Sequence, residues 1–544
     1  MVIFVSDLFV EDYVGGAELT FEALINNSLL PIAKAHSSKI TADLMKQHHD
    51  KYWIFGNFSN VSESALLYAA KNLNYSIVEC DYKFCKFRSI EKHQAAEGSC
   101  NCNESRQGKI ISILYSNAKS VWFMSARQKE IYLENFPFLA KGDLNVLSSI
   151  FSKDTIERLG KLREQKKNNK WIISSSQSWI KGTEDAIEHA KQNNLEYEAL
   201  FGVDYHTFLN KLASSKGLIF LPRGGDTCPR LVIEAKLLGC ELALNENVQH
   251  KDEEWFNKDI KEIEDYLLSR PHVFWKSLDE VIVGTPSSSG KKEDNHFTIV
   301  VPSYNNEDWV EKNIDSIASQ NYKNYDVLYM NDASTDNTGK ELKKILEQLD
   351  KDVADKFTIV NNEENKRALH NIYRAVGLAK KGSIIILLDG DDWFSSYNVL
   401  SKLNDVYDKD VWITAGSFMD NAQGMIKTPK IDPKLWEGNI RKFNNQPGHD
   451  FSHLRTFRKE LFDKIEKEDL LDKDGGFYKY TFDQALMFPM IEMSGPEHFL
   501  EVSEVLLTYN RMNPISVDKV HRTDQLRIER DVKNKKPYER IQKI

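Results

Sequence analysis

Three aspartates follow a run of apolar residues near position 390. The stretch IIILLDGDDW, residues 384–393, places Asp389, Asp391 and Asp392 after five aliphatic side chains. Carboxylates held this close raise one another's pKa unless a cation neutralises them. Oxygen ligands favour Mg²⁺ or Mn²⁺ over Zn²⁺, so the motif predicts a divalent-metal site. The alternative is a strand-terminal turn followed by a helix N-cap, because Asp serves both purposes.

The segments around this motif alternate between strand and helix patterns. From Phe297 the runs FTIVVPSY, YDVLYMND, KFTIVNN and SIIILLD are typical of strands. In RALHNIYRAVGLAK, apolar residues recur every three or four positions, as on a helix that lies on a sheet: Ala368, Ile372, Val376 and Ala379. The alternation predicts a parallel sheet covered by helices. Ligands bind beyond the carboxyl ends of the strands in such sheets, where the aspartates would lie.

The first half of the chain shows the same alternation in two series. The runs VIFVS, YWIFGN, YSIVEC and SVWFMS form the first series, and WIISSS, YEALFGV, GLIFLP and ELALN follow a basic run at 161–170. The stretch GTPSSSGKKEDN, 284–295, concentrates Gly, Pro, Ser and charge, which is typical of an exposed connector. The pattern predicts two Rossmann-type units, 1–165 and 166–283, a linker at 284–295 and a domain at 296–544.

Composition and charge disfavour a disordered protein, a nucleic-acid-binding protein and a membrane-spanning protein. The 544 residues are 41% hydrophobic, with 14 prolines and 26 glycines, which predicts a chain that folds throughout. A formal net charge of −9 disfavours nucleic acid as the main partner. The sequence MVIFVSDLFVEDY lacks the basic start of a signal peptide, and we find no run of eighteen apolar residues. We therefore expect a cytoplasmic protein without a transmembrane segment.

Four of the six cysteines lie close together in the sequence. Cys80, Cys85, Cys100 and Cys102 fall in CDYKFCKFRSIEKHQAAEGSCNC, with His93 between them. Six cysteines in a chain of this length do not make a disulfide scaffold. The four thiols could hold a structural Zn²⁺, although their spacing fits no standard zinc pattern; the alternative is buried or free thiols in an insertion.

From Phe297 to about Asn513 the sequence resembles the inverting family-two glycosyltransferases of the GT-A fold. The segments IVVPSYNNEDWVEKNIDSIASQNY, YDVLYMNDASTDNT and LLDGDDW look like three family motifs in the family's order. The resemblance implies that Tyr304 stacks on the nucleotide base and that Asp332 hydrogen-bonds its edge. Asn331 stands where the family often has a second Asp.

The resemblance also implies roles for the charged residues. Asp389 and Asp391 would contact the sugar nucleotide, and Asp391 and Asp392 would hold Mn²⁺ or Mg²⁺, with His521 as a possible third ligand. A divalent cation would neutralise the charge of a leaving diphosphate. Arg367 stands where relatives place a basic residue near the phosphates; the alternative is a solvated arginine at a helix start.

An inverting transfer also requires a base that deprotonates the acceptor hydroxyl. Asp483, in KYTFDQALMF, occupies the family's position for that acid; its alternative is a helix N-cap. The family's frequent Glu-Asp pair is here Phe482-Asp483. His453 and Arg455 fall in the segment that shapes the acceptor pocket in relatives. The motif Gln-x-x-Arg-Trp of processive enzymes is absent, which favours transfer of a single sugar.

The N-terminal half resembles, more faintly, the retaining family-four glycosyltransferases of the GT-B fold. SDLFVEDYVGGAELTFEAL looks like their first strand and glycine loop, with Gly15 and Gly16 allowing close approach of a ligand. Lys181, in WIKGTEDAI, parallels a phosphate-binding lysine, but SSS replaces the accompanying Arg. Asp226 and Glu234 have the separation of the family's two donor-binding acids. This half is either a divergent second transferase or a degenerate one kept for acceptor recognition or packing.

These patterns together predict an α/β chain: a GT-B-like pair of Rossmann-type units and then a GT-A domain. We expect a glycosyltransferase that uses a nucleotide sugar, with a UDP-sugar as the expected donor, and a glycan or another hydroxyl acceptor. Two active transferases in one chain would be the bifunctional form. The rivals are a non-catalytic carbohydrate-binding or scaffold protein and a nucleotidyltransferase, which would require a glycine-rich basic loop where PSYNNED stands.

Overall fold

The computed structural model describes residues 1–283, 294–431, 436, 440–442, 453–514 and 522–544. It divides into two compact units. The first unit contains Met1–Ser28 and Ile32–Ile282, and the second contains Leu29–Pro31 and Val283–Ile544. Of the predicted linker, residues 284–293 lie outside the described part.

The first unit contains two parallel sheets within its described residues. One sheet has the order β2-β1-β3-β4-β5-β6 and is built from β1 (Val2–Ser6), β2 (Ile32–His36), β3 (Tyr52–Phe55), β4 (Asn74–Glu79), β5 (Val121–Phe123) and β6 (Leu144–Val146). The other has the order β10-β9-β7-β8 and is built from β7 (Trp171–Ser174), β8 (Tyr197–Leu200), β9 (Gly217–Phe220) and β10 (Glu241–Leu244). Runs such as VIFVS are buried along their whole length, as parallel strands covered on both faces require.

Helices connect these strands and cover the sheets. Their bounds are Gly16–Asn26, Ala42–Gln47, Glu63–Asn72, Ile90–Glu97, Arg106–Asn117, Ala126–Asn135, Lys153–Arg163, Thr183–Gln192, Tyr205–Ala213, Arg230–Leu237 and Ile260–Val283. The predicted α/β class with parallel sheets is therefore confirmed for this unit. In the part of the chain that is described, no helix combines the length and apolarity that crossing a bilayer demands.

The second unit is built on a mixed sheet. Its strands are β11 (Phe297–Ser303), β12 (Tyr325–Asn331), β13 (Phe357–Asn361), β14 (Ile384–Leu387), β15 (Trp393–Phe394), β16 (Ile413–Asp420), β17 (Ile426–Lys427), β18 (Arg455–Arg458) and β19 (Phe499–Tyr509). Their order is β13-β12-β11-β14-β18-β16-β19-β15, with β17 paired to β16. β11 to β14 are mutually parallel, whereas β18 runs antiparallel to both β14 and β16.

Helices lie on both faces of this sheet. Their bounds are Val310–Ala318, Thr338–Gln348, Lys351–Ala354, Ala368–Leu378, Val399–Tyr407, Lys459–Phe462, Phe482–His498 and Arg522–Asn534. In Ala368–Leu378 the buried apolar side chains are Leu369, Ile372, Ala375 and Val376. Ile372 and Val376 were predicted to face the core, but Ala368 and Ala379 are only half-buried, so the apolar stripe is rotated slightly from the predicted one.

Candidate functional site

A cavity of about 600 Å³ lies at the carboxyl ends of β11, β12 and β14. Parallel strands end at the same edge of a sheet, so loops that are distant in sequence meet there. The structure brings six of the predicted site residues to the lining of this cavity: Tyr304, Asp332, Arg367, Asp389, Asp391 and Asp483. This is the edge at which the alternating pattern placed the aspartates.

The turn that carries the aspartates is fixed by backbone contacts. Gly390 donates its N–H to the Pro302 carbonyl at 3.0 Å, and a Cβ at position 390 would lie 2.6 Å from Ser303 Cβ, so only glycine fits there. The buried Asn313 amide donates to the carbonyls of Asp389 at 3.1 Å and Asp392 at 2.7 Å. The Asn313 side chain therefore fixes the conformation of this turn, a role that was not predicted from the sequence.

Asp392 is the most enclosed carboxylate of the motif. Only 1% of it is exposed, and its Oδ1 accepts the Asn510 N–H at 2.8 Å. Its Oδ2 is buried and has no hydrogen-bond partner among the described residues. One ligand atom each from Asp389, Asp392 and His453 lie within 4.8 Å of one another. A buried oxygen without a partner, beside a second carboxylate and an imidazole, could bind a divalent cation.

Burial is the largest cause of the pKa shifts of these groups. Burial raises the pKa of Asp389 to about 6, with Arg455 opposing and Asp391 and Asp483 adding to the rise. Burial, and then the charges of Asp391 and Asp389, raise the pKa of Asp392 well above its usual range. Burial, Arg455 and Lys427 lower the pKa of His453, which therefore remains a neutral donor.

Asp391 is held differently from its two neighbours. Its Oδ2 accepts the Asn513 side-chain N–H at 2.7 Å, and burial raises its pKa although this hydrogen bond opposes the rise. Asp391 was predicted as a metal ligand together with Asp392 and His521. The group of close ligand atoms contains Asp389 and His453 beside Asp392, and His521 lies outside the described residues.

Asp332 and Arg367 form one local structure. Asp332 is buried, and its carboxylate accepts the N–H groups of Lys366 and Arg367, each at 2.8 Å, and the Asn362 amide at 2.8 Å. Arg367 has a positive φ of 70° at the start of the helix Ala368–Leu378. Its guanidinium lies 6.0 Å from the Tyr480 ring centroid, on the cavity side. Asp332 thus fixes the loop that presents Arg367.

Two further residues of the cavity come from the later part of the chain. Asp483 lies in the first turn of the helix Phe482–His498 and lines the cavity. Arg455, at the start of β18, is 3% exposed, and its Nε has no hydrogen-bond partner in the described part of the chain. β18 pairs with β14, so Arg455 lies opposite Leu387, next to the aspartate turn. Arg455 was predicted to lie in the segment that shapes the acceptor pocket, and no sequence pattern connected it with the aspartates.

The predicted donor-binding residues of the N-terminal unit are paired within the protein. Lys181 Nζ lies 2.6 Å from Asp226 Oδ2. Glu234 is 2% exposed, and its Oε1 accepts Arg230 Nε at 3.0 Å and the Tyr205 hydroxyl at 2.6 Å. Burial raises the pKa of Glu234, and Arg230 is the largest opposing cause. The i to i+4 spacing of Arg230 and Glu234 on a helix is the signal from which this pair could have been found.

The glycine pair of the N-terminal unit lies beside the same arginine. Gly15 caps the helix Gly16–Asn26, and a Cβ added at Gly16 would lie 3.6 Å from Arg230 Cβ. The structure therefore brings Gly16, Arg230 and Glu234 to one region, where two helices begin beyond the ends of parallel strands.

The predicted zinc ligands need one correction. The sulfur atoms of Cys85, Cys100 and Cys102 lie together with an imidazole nitrogen of His93, whereas Cys80 is not in this group. Cys80 directly follows β4, and its carbonyl accepts the Thr227 hydroxyl at 2.9 Å. The continuation of the strand fixes its position, so Cys80 is not a member of the cluster.

Comparison with known proteins finds similarity to glycosyltransferases in the C-terminal region. Residues 298–466 match the model of the glycosyl transferase family 2. Glycosyltransferase GlyA of Streptococcus pneumoniae is 30% identical over 221 residues, which are 40% of this chain and 29% of that protein. The Escherichia coli protein WfaP, a UDP-Glc:alpha-D-GlcNAc-diphosphoundecaprenol beta-1,3-glucosyltransferase, is 25% identical over 177 residues, 32% of this chain and 66% of that protein.

Similar solved structures include a mannosyltransferase of Pyrobaculum calidifontis in complex with GDP-Man and Mn²⁺. It is 18% identical, the match covers 49% of this chain and 73% of that chain, and the TM-score is 0.33. The chain spans 29%, 54% and 36% of the lengths of the first three curated relatives that it matches. Residues 298–466 of the C-terminal unit are thus similar to the glycosyl transferase family 2.

Proposed function

We propose that the C-terminal unit transfers a sugar from a nucleoside-diphosphate donor, a UDP-sugar, to an acceptor hydroxyl, with inversion and with the help of Mn²⁺ or Mg²⁺. The observation that carries this proposal is the buried, unpartnered Oδ2 of Asp392 beside Asp389 and His453. The match of residues 298–466 to glycosyl transferase family 2 supports the same chemistry.

The residues of the cavity divide the work of holding the donor. Tyr304 follows β11 and offers an aromatic face on which a nucleotide base stacks. Asp332 already accepts three hydrogen bonds, and a carboxylate has room for about one more, to the edge of the base. Arg367 and Arg455 are the two arginines of the cavity lining, and they would meet the diphosphate.

Asp389, Asp392 and His453 could hold a divalent cation. Carboxylate oxygens suit Mn²⁺ and Mg²⁺, and the neutral imidazole of His453 would add a nitrogen ligand. A cation bound there would neutralise the negative charge that develops on the departing diphosphate. Asp391 and His521 remain predicted ligands of the same ion. Asn313 and Asn510 would keep the carboxylates in place, since they fix the turn and Asp392 Oδ1.

Asp483 is the proposed general base. It would accept the proton of the acceptor hydroxyl while that oxygen attacks the anomeric carbon on the side opposite the diphosphate. The bond between the anomeric carbon and the diphosphate oxygen breaks, and the nucleoside diphosphate leaves with its electron pair. Attack from the opposite side inverts the configuration at that carbon.

For the N-terminal unit, internal pairing favours a binding or scaffold module over a second transferase. Asp226 and Glu234 already have cationic partners in Lys181 and Arg230, so neither carboxylate requires a ligand. Calorimetric titration of UDP-glucose into the wild-type chain and into Glu234→Ala tests this: equal heats support the module, and a loss of binding in the variant supports a second donor site.

A donor panel tests the main proposal. The melting temperature of the full-length chain would be measured with UDP-glucose, UDP-N-acetylglucosamine and GDP-mannose, each with and without MnCl₂. We expect one sugar nucleotide to stabilise strongly, and only together with the metal. Release of the nucleoside diphosphate then distinguishes an enzyme from a carbohydrate-binding protein. If no donor stabilises the chain and none is hydrolysed, the proposal is wrong.

A further inference from the structure

A second cluster of metal-ligating side chains lies in the N-terminal unit, and none of its residues takes part in the proposed sugar transfer. It belongs to the segment between β4 and the helix Arg106–Asn117. Ligand atoms of Cys85, His93, Cys100 and Cys102 lie within 4.8 Å of one another. All six cysteines of the chain are free thiols in the structure, so no disulfide accounts for this grouping.

The separations within the cluster fit the edges of a tetrahedron. Cys85 Sγ lies 3.8 Å from Cys100 Sγ, and His93 Nδ1 lies 3.3 Å from Cys102 Sγ and 3.7 Å from Cys85 Sγ. Around a tetrahedral zinc ion, bonds of about 2.3 Å to sulfur and about 2.0 Å to nitrogen place neighbouring sulfurs about 3.8 Å apart, and sulfur and nitrogen about 3.5 Å apart. These three distances lie within about 0.2 Å of those values, and the remaining pairs of ligand atoms lie within 4.8 Å of one another.

The surroundings of His93 orient its ring towards the thiols. His93 Nε2 donates a hydrogen bond to Glu97 Oε2 at 3.0 Å, one helical turn further along Ile90–Glu97. With the proton on Nε2, the lone pair of Nδ1 points at the sulfur atoms. Lys86 Nζ binds the Glu97 carboxylate at 2.7 Å from the other side. A carboxylate that fixes the tautomer of a histidine ligand is a recurrent feature of zinc sites.

The burial of the cluster indicates a structural ion and not a catalytic one. Cys85, Cys102 and His93 are buried, and Cys100 is half-buried. A catalytic zinc keeps one position open for water or substrate, whereas four protein ligands fill a tetrahedral shell completely. We propose that Cys85, His93, Cys100 and Cys102 bind one structural Zn²⁺.

The ion would fix a loop that borders the glycine pair before Asp226. Ser89 caps the helix Ile90–Glu97, and a Cβ added at Gly224 would lie 2.9 Å from Ser89 Oγ. Arg88 has a φ of 55° and binds Asp81 at 2.8 Å. Both residues lie between two of the ligands, Cys85 and His93, so the bound ion would limit the conformations of this loop.

Metal analysis of the full-length chain tests the proposal. Elemental analysis of protein purified without chelator should find about one zinc per chain in the wild type. Cys102→Ser and His93→Ala should lose the zinc, and His93→Cys, which restores a four-ligand shell, should retain it. Cys80→Ser is the matched control because it removes a nearby thiol outside the cluster, and it should keep the full zinc content.

A spectroscopic measurement keeps the proposal testable if the variants fold poorly. Wild-type protein stripped with a chelator and titrated with Co²⁺ should develop thiolate-to-cobalt charge transfer and the visible bands of a tetrahedral ion at one equivalent. Zinc should then bleach these bands. Absence of zinc together with absence of the cobalt spectrum would overturn the proposal, as would loss of zinc in Cys80→Ser with retention in His93→Ala. Any disulfide between Cys85 and Cys100 in non-reduced peptide mass spectra of freshly purified protein would also overturn it.

Discussion

The carboxylates of the two units differ in where their counter-charge comes from. In the N-terminal unit, Glu234 meets Arg230 at 3.0 Å and Asp226 meets Lys181 at 2.6 Å. In the C-terminal unit, one oxygen of Asp392 has no partner among the described residues, and the pKa of Asp389 is raised to about 6 by burial even though Arg455 is near. Asp226 and the aspartates of the C-terminal unit lie in loops that follow parallel strands, whereas Glu234 lies on the helix Arg230–Leu237.

A buried carboxylate has a different meaning with and without a cationic partner in the protein. A buried carboxylate that is paired within the chain is satisfied and needs no ligand. Carboxylates that are buried together without sufficient counter-charge are costly, and such costs are typical of sites that bind a cation or perform chemistry. The comparison therefore predicts opposite responses to neutralising one acid in each unit.

The largest expected effect is on transfer by the C-terminal unit. Asp392→Asn should reduce metal-dependent hydrolysis or transfer of the donor by about 1000-fold or more, because the cation loses a ligand worth several kcal/mol in the transition state. Release of nucleoside diphosphate measures this. Asp463→Asn, an equal change at an exposed residue paired with Lys459, is the control and should retain activity. Unchanged turnover in Asp392→Asn would remove the assignment.

In the N-terminal unit, neutralising the paired acid should destabilise the fold. Glu234→Gln leaves the buried Arg230 guanidinium without its counter-charge, at a cost of about 3 kcal/mol. Native-state hydrogen exchange of β9, Gly217–Phe220, measures the stability of this unit separately from the other. An unchanged opening free energy of β9 would show that the pair contributes nothing and would break the comparison.

Neutralising an acid in the C-terminal unit should have the opposite effect: in metal-free protein it should stabilise the fold. The folded-state pKa of Asp389 is raised from 3.8 to about 6, so the folded state binds the proton more tightly than the unfolded state. The stability this gives is present below about pH 4 and is lost as the pH rises to about 6. Asp389→Asn has no carboxyl group to ionise at this position, so its free energy of unfolding does not fall in this pH range.

The free energy of unfolding of Asp389→Asn, relative to the wild type in chelator, should therefore increase between about pH 4 and about pH 6 by about 3 kcal/mol and then stay constant. Hydrogen exchange of β14, Ile384–Leu387, at a series of pH values gives the difference. A difference that does not depend on pH would mean that burial of the Asp389 charge is not the cause.

The smallest effect is expected at Lys181. Its side chain is 38% exposed, so the pair with Asp226 should contribute under about 1 kcal/mol, and Lys181→Ala should change the stability of β9 little. Titration with UDP-glucose sharpens the comparison, because a live donor site would lose affinity in this variant while a scaffold module would show no change.

Local patterns in the sequence were sufficient for the elements that position the site. The apolar runs before Tyr304, Asp332 and Asp389 predicted strands, and the structure contains parallel strands β11, β12 and β14 at those places. A one-residue error remained in the helix Ala368–Leu378, where Leu369 and Ala375 face the core. Helical spacing alone does not fix this rotation, because apolar residues on both sides of the stripe fit the same period of 3.6 residues per turn.

The remaining parts of the site depend on pairing between distant segments. Arg455 reaches the aspartates because β18 returns antiparallel to β14, and Asn510 reaches Asp392 at the end of β19. No local periodicity records which strand pairs with which. In the cluster proposed to bind zinc, likewise, sequence proximity suggested Cys80 as the fourth ligand, and the helix that begins at Ile90 presents His93 instead.

Local patterns predicted the α/β class, the parallel strands and, as a hypothesis, a cation site at the three aspartates, because strand periodicity and repulsion between neighbouring charges are local properties. The tertiary structure decided which charges are compensated: Arg230 meets Glu234 across one helical turn, while Asp392 is left with a bare oxygen beside His453. Compensation depends on distances through space, and those are set by how the strands pair and the loops cross the sheet edge.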